Sequence, residues 1–212
     1  MNVMTCIDEY VGNVDYRIPI FTNDIYKYVE KKIPDIKKDL LNEYVLRYQK
    51  SNPNFIRYQK GIYYKTLETP FGKADISYKD LIKRVYISDE DSLFGYESGP
   101  SFMNKIGLTT QLPTHTYLVT KKNRVVLNNI ENLVLIKAQT TITEQNYRYL
   151  QLLDVLDNKY NVKIEAENYK DILRTFIDDY KINFEKLMYY AKYYKSNKVY
   201  TEIADLAREE EL

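Results

Sequence analysis

The chain has 212 residues, about 1.4 times the ~150 expected of one domain, which fits one large domain or two small ones. Hydrophobic residues at 44% and charged residues at 29% supply a real core and exclude a disordered chain. With 31 basic against 30 acidic groups, the chain is neither a strongly basic coat protein nor an acidic tail protein.

The rarer residues exclude more. One cysteine, Cys6, forms no intrachain disulfide and fits a reducing cytosol, so a cytoplasmic protein is expected. With His115 as the one histidine, Cys/His zinc sites lack ligands, and neither a Cys–His pair nor a Ser-His-Asp triad has a supporting signature. The glycines at 12, 61, 72, 95, 99 and 107 build no Walker loop and no dinucleotide fingerprint. We therefore expect no enzyme, no cofactor and no metal. The start has no secretory pattern, and no apolar run approaches the ~18 residues of a membrane span, so no membrane partner is expected. The 23 tyrosines fit either an AT-rich coding sequence or a surface for stacking bases.

Charge divides the chain into three expected domains, 1–65, 66–139 and 140–212. The first has 11 basic and 8 acidic residues, the second 9 and 8, the third 11 and 14, so a +3 head balances a −3 tail. All twelve Gly and Pro residues precede residue 114.

In chain order, residues 3–11 predict a helix and Arg17 to Phe21 a short strand. Thr22 is a good N-cap for a helix from about Asn23 to Lys32. Ile33-Pro34 breaks it. A further helix is predicted from Asp35 to about Gln49, with an apolar stripe at Ile36, Leu40, Leu41, Tyr44, Val45 and Tyr48. Lys38, Asp39, Asn42, Leu46 and Gln49 lie on its other face. Phe55 to Gln59 and Ile62 to Lys65 alternate around Lys60-Gly61, a β-hairpin pattern. Helix, short strand, helix, turn, helix, hairpin is the order of a winged helix-turn-helix. There the third helix enters the major groove and the wing touches phosphates. The DNA-binding candidates are Lys37, Lys38, Asn42, Arg57, Tyr58 and Lys60. Asp35, Asp39 and Glu43 on or near the same helix would repel phosphate.

The middle segment predicts a helix over 77–87, a turn at 97–100 and a short helix over 101–106. Strands at 116–120, 124–127 and 133–136 are read as a small antiparallel sheet. The last segment carries 3.6-period stripes: Tyr149, Leu152, Leu153, Leu156, Tyr160; then Tyr169, Ile172, Leu173, Phe176, Ile177, Tyr180; then Phe184, Leu187, Met188, Ala191; then Val199, Ile203, Leu206. They predict three or four helices of a small bundle. The fold class expected is α+β: an N-terminal winged helix-turn-helix, a small α/β middle domain with antiparallel strands, and a C-terminal helical bundle.

Two blocks are more specific. Arg57-Tyr58-Gln59-Lys60-Gly61-Ile62-Tyr63-Tyr64 is followed by Thr69-Pro70-Phe71-Gly72. Gly99-Pro100-Ser101-Phe102-Met103-Asn104-Lys105-Ile106-Gly107-Leu108-Thr109-Thr110-Gln111-Leu112-Pro113 is followed by Leu118-Val119-Thr120. Together they resemble the AbiEi-type antitoxins of abortive-infection toxin–antitoxin systems, over roughly residues 15–137. The resemblance implies a winged helix that binds inverted repeats in its own promoter and represses the operon. Two copies on inverted half-sites would add affinity through their spacing, so a homodimer on the DNA is expected. It also implies a following domain needed to neutralise a cognate nucleotidyltransferase-like toxin, with direct contact left open. It maps the wing to Arg57, Tyr58 and Lys60, with Lys65 as a further position, and the helix before it to residues 35–49.

Other readings stand beside it. The unit could dock a protein instead of DNA, or bind RNA by stacking on Tyr58, Tyr63 and Tyr64. Asp178-Asp179 fits a solvated helix face better than an enzyme site. Cys6 and His115 read as structural, Gly99-Pro100 as a turn, and Glu209 to Glu211 as a solvated end. Of the pairs Tyr189-Tyr190 and Tyr193-Tyr194, one member packs inward and the other is open to a partner.

Overall fold

The computed structural model describes residues 2–121, 127–128 and 130–208 of a mixed α+β chain. It divides into two compact units, Met1–Arg84 and Val85–Leu212, against the expected boundaries at about 65 and 140.

The N-terminal unit begins with α1 (Val3–Gly12), capped by the Asn2 side chain, which accepts from the Thr5 amide at 2.8 Å. The strand expected from Arg17 shrinks to β1 (Ile20–Phe21), because Arg17 has a φ of +69° and cannot continue a pleat. Helix α2 (Thr22–Lys32) starts one residue earlier than expected. Phe21, not Thr22, is its cap, and the Thr22 amide donates to the Gly61 carbonyl at 2.9 Å. Helix α3 (Lys38–Ser51) starts three residues later than expected, since Asp35 also sits in the left-handed region, with φ +69°.

Strands β2 (Phe55–Gln59) and β3 (Ile62–Lys65) form the expected hairpin. Gly61, at φ +80°, supplies the turn conformation that a side chain resists. Strand β3 is central, in the order β1-β3-β2, all antiparallel. One core joins Cys6, Ile7, Ile25, Val29, Leu41 and Val45 to Phe55 and Tyr63 of the sheet. Leu40, expected inward, is 45% exposed. A second hairpin, β4 (Glu68–Thr69) with β5 (Gly72–Lys73), follows. The helix expected over 77–87 is two pieces: α4 (Tyr78–Ile82), capped by Ser77, then a π-helical turn over Lys83–Ile87.

In the C-terminal unit, β6 (Gly95–Ser98) runs straight into α5 (Gly99–Lys105) where a turn was expected. Gly99 makes the corner at φ +61°; a Cβ there would meet the rings of Tyr117 and Tyr160 at 3.2 Å. Strand β6 pairs antiparallel with β7 (Thr116–Thr120), but β7 pairs parallel with β8 (Leu133–Lys137). This corrects the antiparallel expectation. A parallel return needs a crossover of about a dozen residues, and 121–132 supply that length. Of the strand expected at 124–127, residues 124–126 lie outside the described ones, as do Glu209 to Glu211.

Helices α6 (Tyr147–Asp157), α7 (Tyr169–Asp179), α8 (Phe184–Ala191) and α9 (Asn197–Arg208) follow. Their stripes bury Leu152, Leu153, Phe176, Leu187, Val199 and Ile203 together with Phe102 and Met103 of α5, so they share a core with the middle segment. Tyr160 falls beyond α6, which ends where Asn158 turns left-handed, and Met188 is 40% exposed. Among the described residues no helix is long and apolar enough to cross a membrane.

Candidate nucleic-acid interface

The six residues singled out from sequence all belong to the N-terminal unit. Burying Leu41, Val45 and Tyr48 turns the opposite side of α3, with Asp39, Glu43 and Lys50, to solvent, while Lys38 and Asn42 are exposed on its flank, one turn apart. Lys37 is exposed at the N-cap position. No side chain caps this end, so the first-turn amides of α3 have no side-chain acceptor. The Lys38 ammonium lies 4.9 Å from the centre of the Tyr26 ring. Asp39 and Glu43 share the exposed side, and Glu43 pairs with Arg47 at 3.9 Å.

Arg57 is exposed, although it shares a sheet face with Phe55, two residues before it, and with Tyr63, its partner across the ladder, whose rings stack at 5.0 Å. Lys60 is exposed at the hairpin turn. Tyr58 is half-buried and meets Tyr78 edge-on at 6.3 Å.

Two expectations change. Tyr63 and Tyr64 are 4% and 7% exposed and cannot stack on bases. Burial pushes both phenols above the usual tyrosine range, so they stay neutral within the core. Lys65 sits at the far end of the hairpin from its turn, donating to the Gly12 carbonyl at 3.1 Å and lying 5.1 Å from the Tyr16 ring.

Arg47 and Lys50, not singled out from sequence, are exposed on α3 too. Among the exposed side chains of α3, Lys38, Arg47 and Lys50 stand against Asp39 and Glu43, three charges to two. The signal for Arg47 and Lys50 was the spacing from Asn42 and Glu43 along the helix. Phe71 was also missed. It is fully exposed at the tip of the β4–β5 hairpin, whose turn is held by the Thr69 hydroxyl donating to the Gly72 carbonyl at 2.6 Å.

The other sequence candidates lie apart from this surface. Cys6 is buried. His115 is exposed, its Nδ1 2.8 Å from the Thr114 hydroxyl. Tyr190 packs on Tyr149 while Tyr189 is 57% exposed, and Tyr194 turns inward to Asp154. Among the described residues no group of three or more His, Cys, Asp or Glu is placed to hold a metal ion.

The chain matches no protein-family model, and a comparison with curated protein sequences gives no significant match.

Proposed function

We propose that the N-terminal unit is a winged helix-turn-helix that binds duplex DNA, and that the chain is a DNA-binding antitoxin and autorepressor of a toxin–antitoxin operon. The observation that carries the DNA reading is the strand order β1-β3-β2 around a hairpin that follows α3 directly. That order is the one a winged helix needs, with α3 as the groove helix and β2–β3 as the wing. Exposed Lys38, Asn42, Arg57 and Lys60 on those two elements support it. So does the N-terminus of α3, where exposed Lys37 and Lys38 flank amides suited to a backbone phosphate. The antitoxin part rests on the two sequence blocks alone. In this reading the remainder of the chain neutralises a nucleotidyltransferase-like toxin and has no enzymatic role.

A gel-shift titration on the chain's own upstream DNA over a range of salt tests the proposal. A salt-sensitive shift is expected. Arg57→Ala with Lys60→Ala should lower the slope of log K against log salt by about 2, since each phosphate contact contributes about 0.9. An absent shift, or a slope unchanged by both substitutions, leaves the rival reading of a protein-docking module. The RNA rival has lost two of its three stacking residues to the core.

A further inference from the structure

Helix α3 shows solvent a mixed surface, and its acidic members hold the outermost position. At about 3.6 residues per turn, Asp39 and Glu43 stand opposite the buried Leu41, Val45 and Tyr48. Lys38 and Asn42 lie on one flank, and Arg47 lies toward the other. On a helix in the major groove, the outermost ridge meets base edges and the flanks meet the phosphate walls. A carboxylate on that ridge therefore faces hydrogen-bond donors of the bases as well as the repulsion of the backbone.

The fold asks different things of the two acids. Asp39 belongs to the first turn of α3, where a negative charge answers the helix dipole. Glu43 lies beyond that turn. It pairs with Arg47, one turn on, at 3.9 Å, and the two side chains are 64% and 67% exposed. An exposed pair of this length contributes little to stability. The Arg47 guanidinium also lies 5.5 Å from the centre of the Tyr44 ring, a contact that orients it without burying it. Glu43 and Arg47 thus stand side by side on the exposed face of the helix with little structural work to do.

Their chemistry is that of one base pair. In the major groove cytosine offers its N4 amino group, a donor that suits a carboxylate. Guanine offers O6 and N7, two acceptors that the forked donors of arginine meet together. Four residues of helix rise about 6 Å, against about 3.4 Å per base-pair step, so the two side chains reach the same pair or adjacent ones.

We propose that Glu43 and Arg47 are specificity-determining residues. Glu43 accepts from a cytosine N4 amino group and Arg47 donates to a guanine O6 and N7, so each half-site carries a C·G pair beneath this turn of α3. The inference rests on the DNA reading of the N-terminal unit and adds base contacts to its phosphate contacts. It also gives the acidic ridge a purpose: the carboxylate is repelled by every duplex and repaid only over the right base.

Selection of duplexes from a randomised pool by the full chain, repeated with Glu43→Gln and with Arg47→Ala, tests this. Neither residue belongs to the core of the unit, so both variants keep its packing. The parent motif should contain a C·G pair, and Glu43→Gln should lose about tenfold or more of the preference for it, turning toward A·T because a glutamine amide reads adenine. Arg47→Ala should lose the guanine preference at the same or the adjacent pair. In gel shifts on the selected duplex, Glu43→Gln should leave the salt slope unchanged, since it releases no phosphate contact. If Glu43→Gln binds every duplex more tightly and keeps the parent motif, the carboxylate only repels phosphate and the proposal is overturned. A motif shared by the parent and both variants overturns it alone. A parent chain that retains no duplex from the pool overturns the DNA reading as well.

Discussion

Nη2 of Arg84 lies 2.7 Å from Oδ2 of Asp24, in an ion pair whose side chains are 20% and 10% exposed. The same guanidinium lies 5.6 Å from the ring of Phe21. The contact reaches back sixty residues to the first turn of α2 and, with the Ser77 amide donating to the Arg17 carbonyl at 2.8 Å, ties residues 66–84 to the N-terminal unit. Removing one partner leaves the other charge withdrawn from water. Asp24→Ala should cost about 3 kcal/mol in urea unfolding. The double variant Asp24→Leu with Arg84→Met should lose clearly less than the sum of the single losses, because no stranded charge remains.

Glu165 is held by Thr110, whose hydroxyl and amide both donate to Oε2, the amide at 2.9 Å. These bonds hold the Glu165 carboxyl below the usual glutamate range. A lowered acid gives its support above the unfolded pKa and loses it as pH falls through the folded one. The loop at 109–111 should therefore stay clasped at neutral pH and open only below about pH 4.5, the ordinary glutamate value. Amide exchange at Thr110 against pH is the readout, and Glu165→Gln should raise that exchange at neutral pH.

Asp154 has the opposite sign. Burial raises it, so its folded form holds the proton more tightly than the unfolded chain does. Its favourable contribution is complete below the unfolded pKa and is lost as pH rises through the folded pKa. Asp154→Asn keeps the shape and removes the charge. Thermal melts across pH should show the variant gaining on the parent as pH rises to neutrality. A difference independent of pH would refute the assignment.

Glycines 95 and 12 make a contrasting pair. A Cβ on Gly95 would stand 1.9 Å from the Tyr86 carbonyl oxygen and 3.0 Å from that of Val119, both backbone atoms that cannot rotate away. Gly12, at the end of α1, has nothing within 4 Å of the same position. Gly95→Ala should cost about 3 kcal/mol or more, or prevent folding of the C-terminal unit. Gly12→Ala should be neutral or gain up to about 1 kcal/mol. Thermal melts of the two variants give the comparison.

The helices and the first hairpin were legible in the sequence because periodicity and turn residues act locally. Ile25 and Val29, or Leu41 and Val45, sit four apart and can only share a face, and Lys60-Gly61 can only turn. The ends were less legible. Arg17 and Asp35 adopt left-handed backbone that their residue types do not announce, and each moves an element boundary. Leu40 looked like part of a stripe, yet the neighbours of α3 cover only one side of that helix. Of the six candidate DNA contacts, five are exposed as a binding role requires and Tyr58 is half-covered.

The sequence by itself determined where most of the helices and the first hairpin lie, and that a basic head balances an acidic tail. These follow from spacing and composition, which no partner in space can alter. Only the tertiary structure decided that β7 and β8 run parallel, that Tyr63 and Tyr64 are core, that residue 84 is tied to α2, and that Asp154 faces a pocket. Each depends on a pairing between residues distant in the chain. Such pairings are set by which apolar faces close on one another, and local pattern carries no record of that choice. The near-neutral net charge read at the outset belongs to the first kind of fact, and the hydrogen-bonded carboxylate of Asp154 to the second.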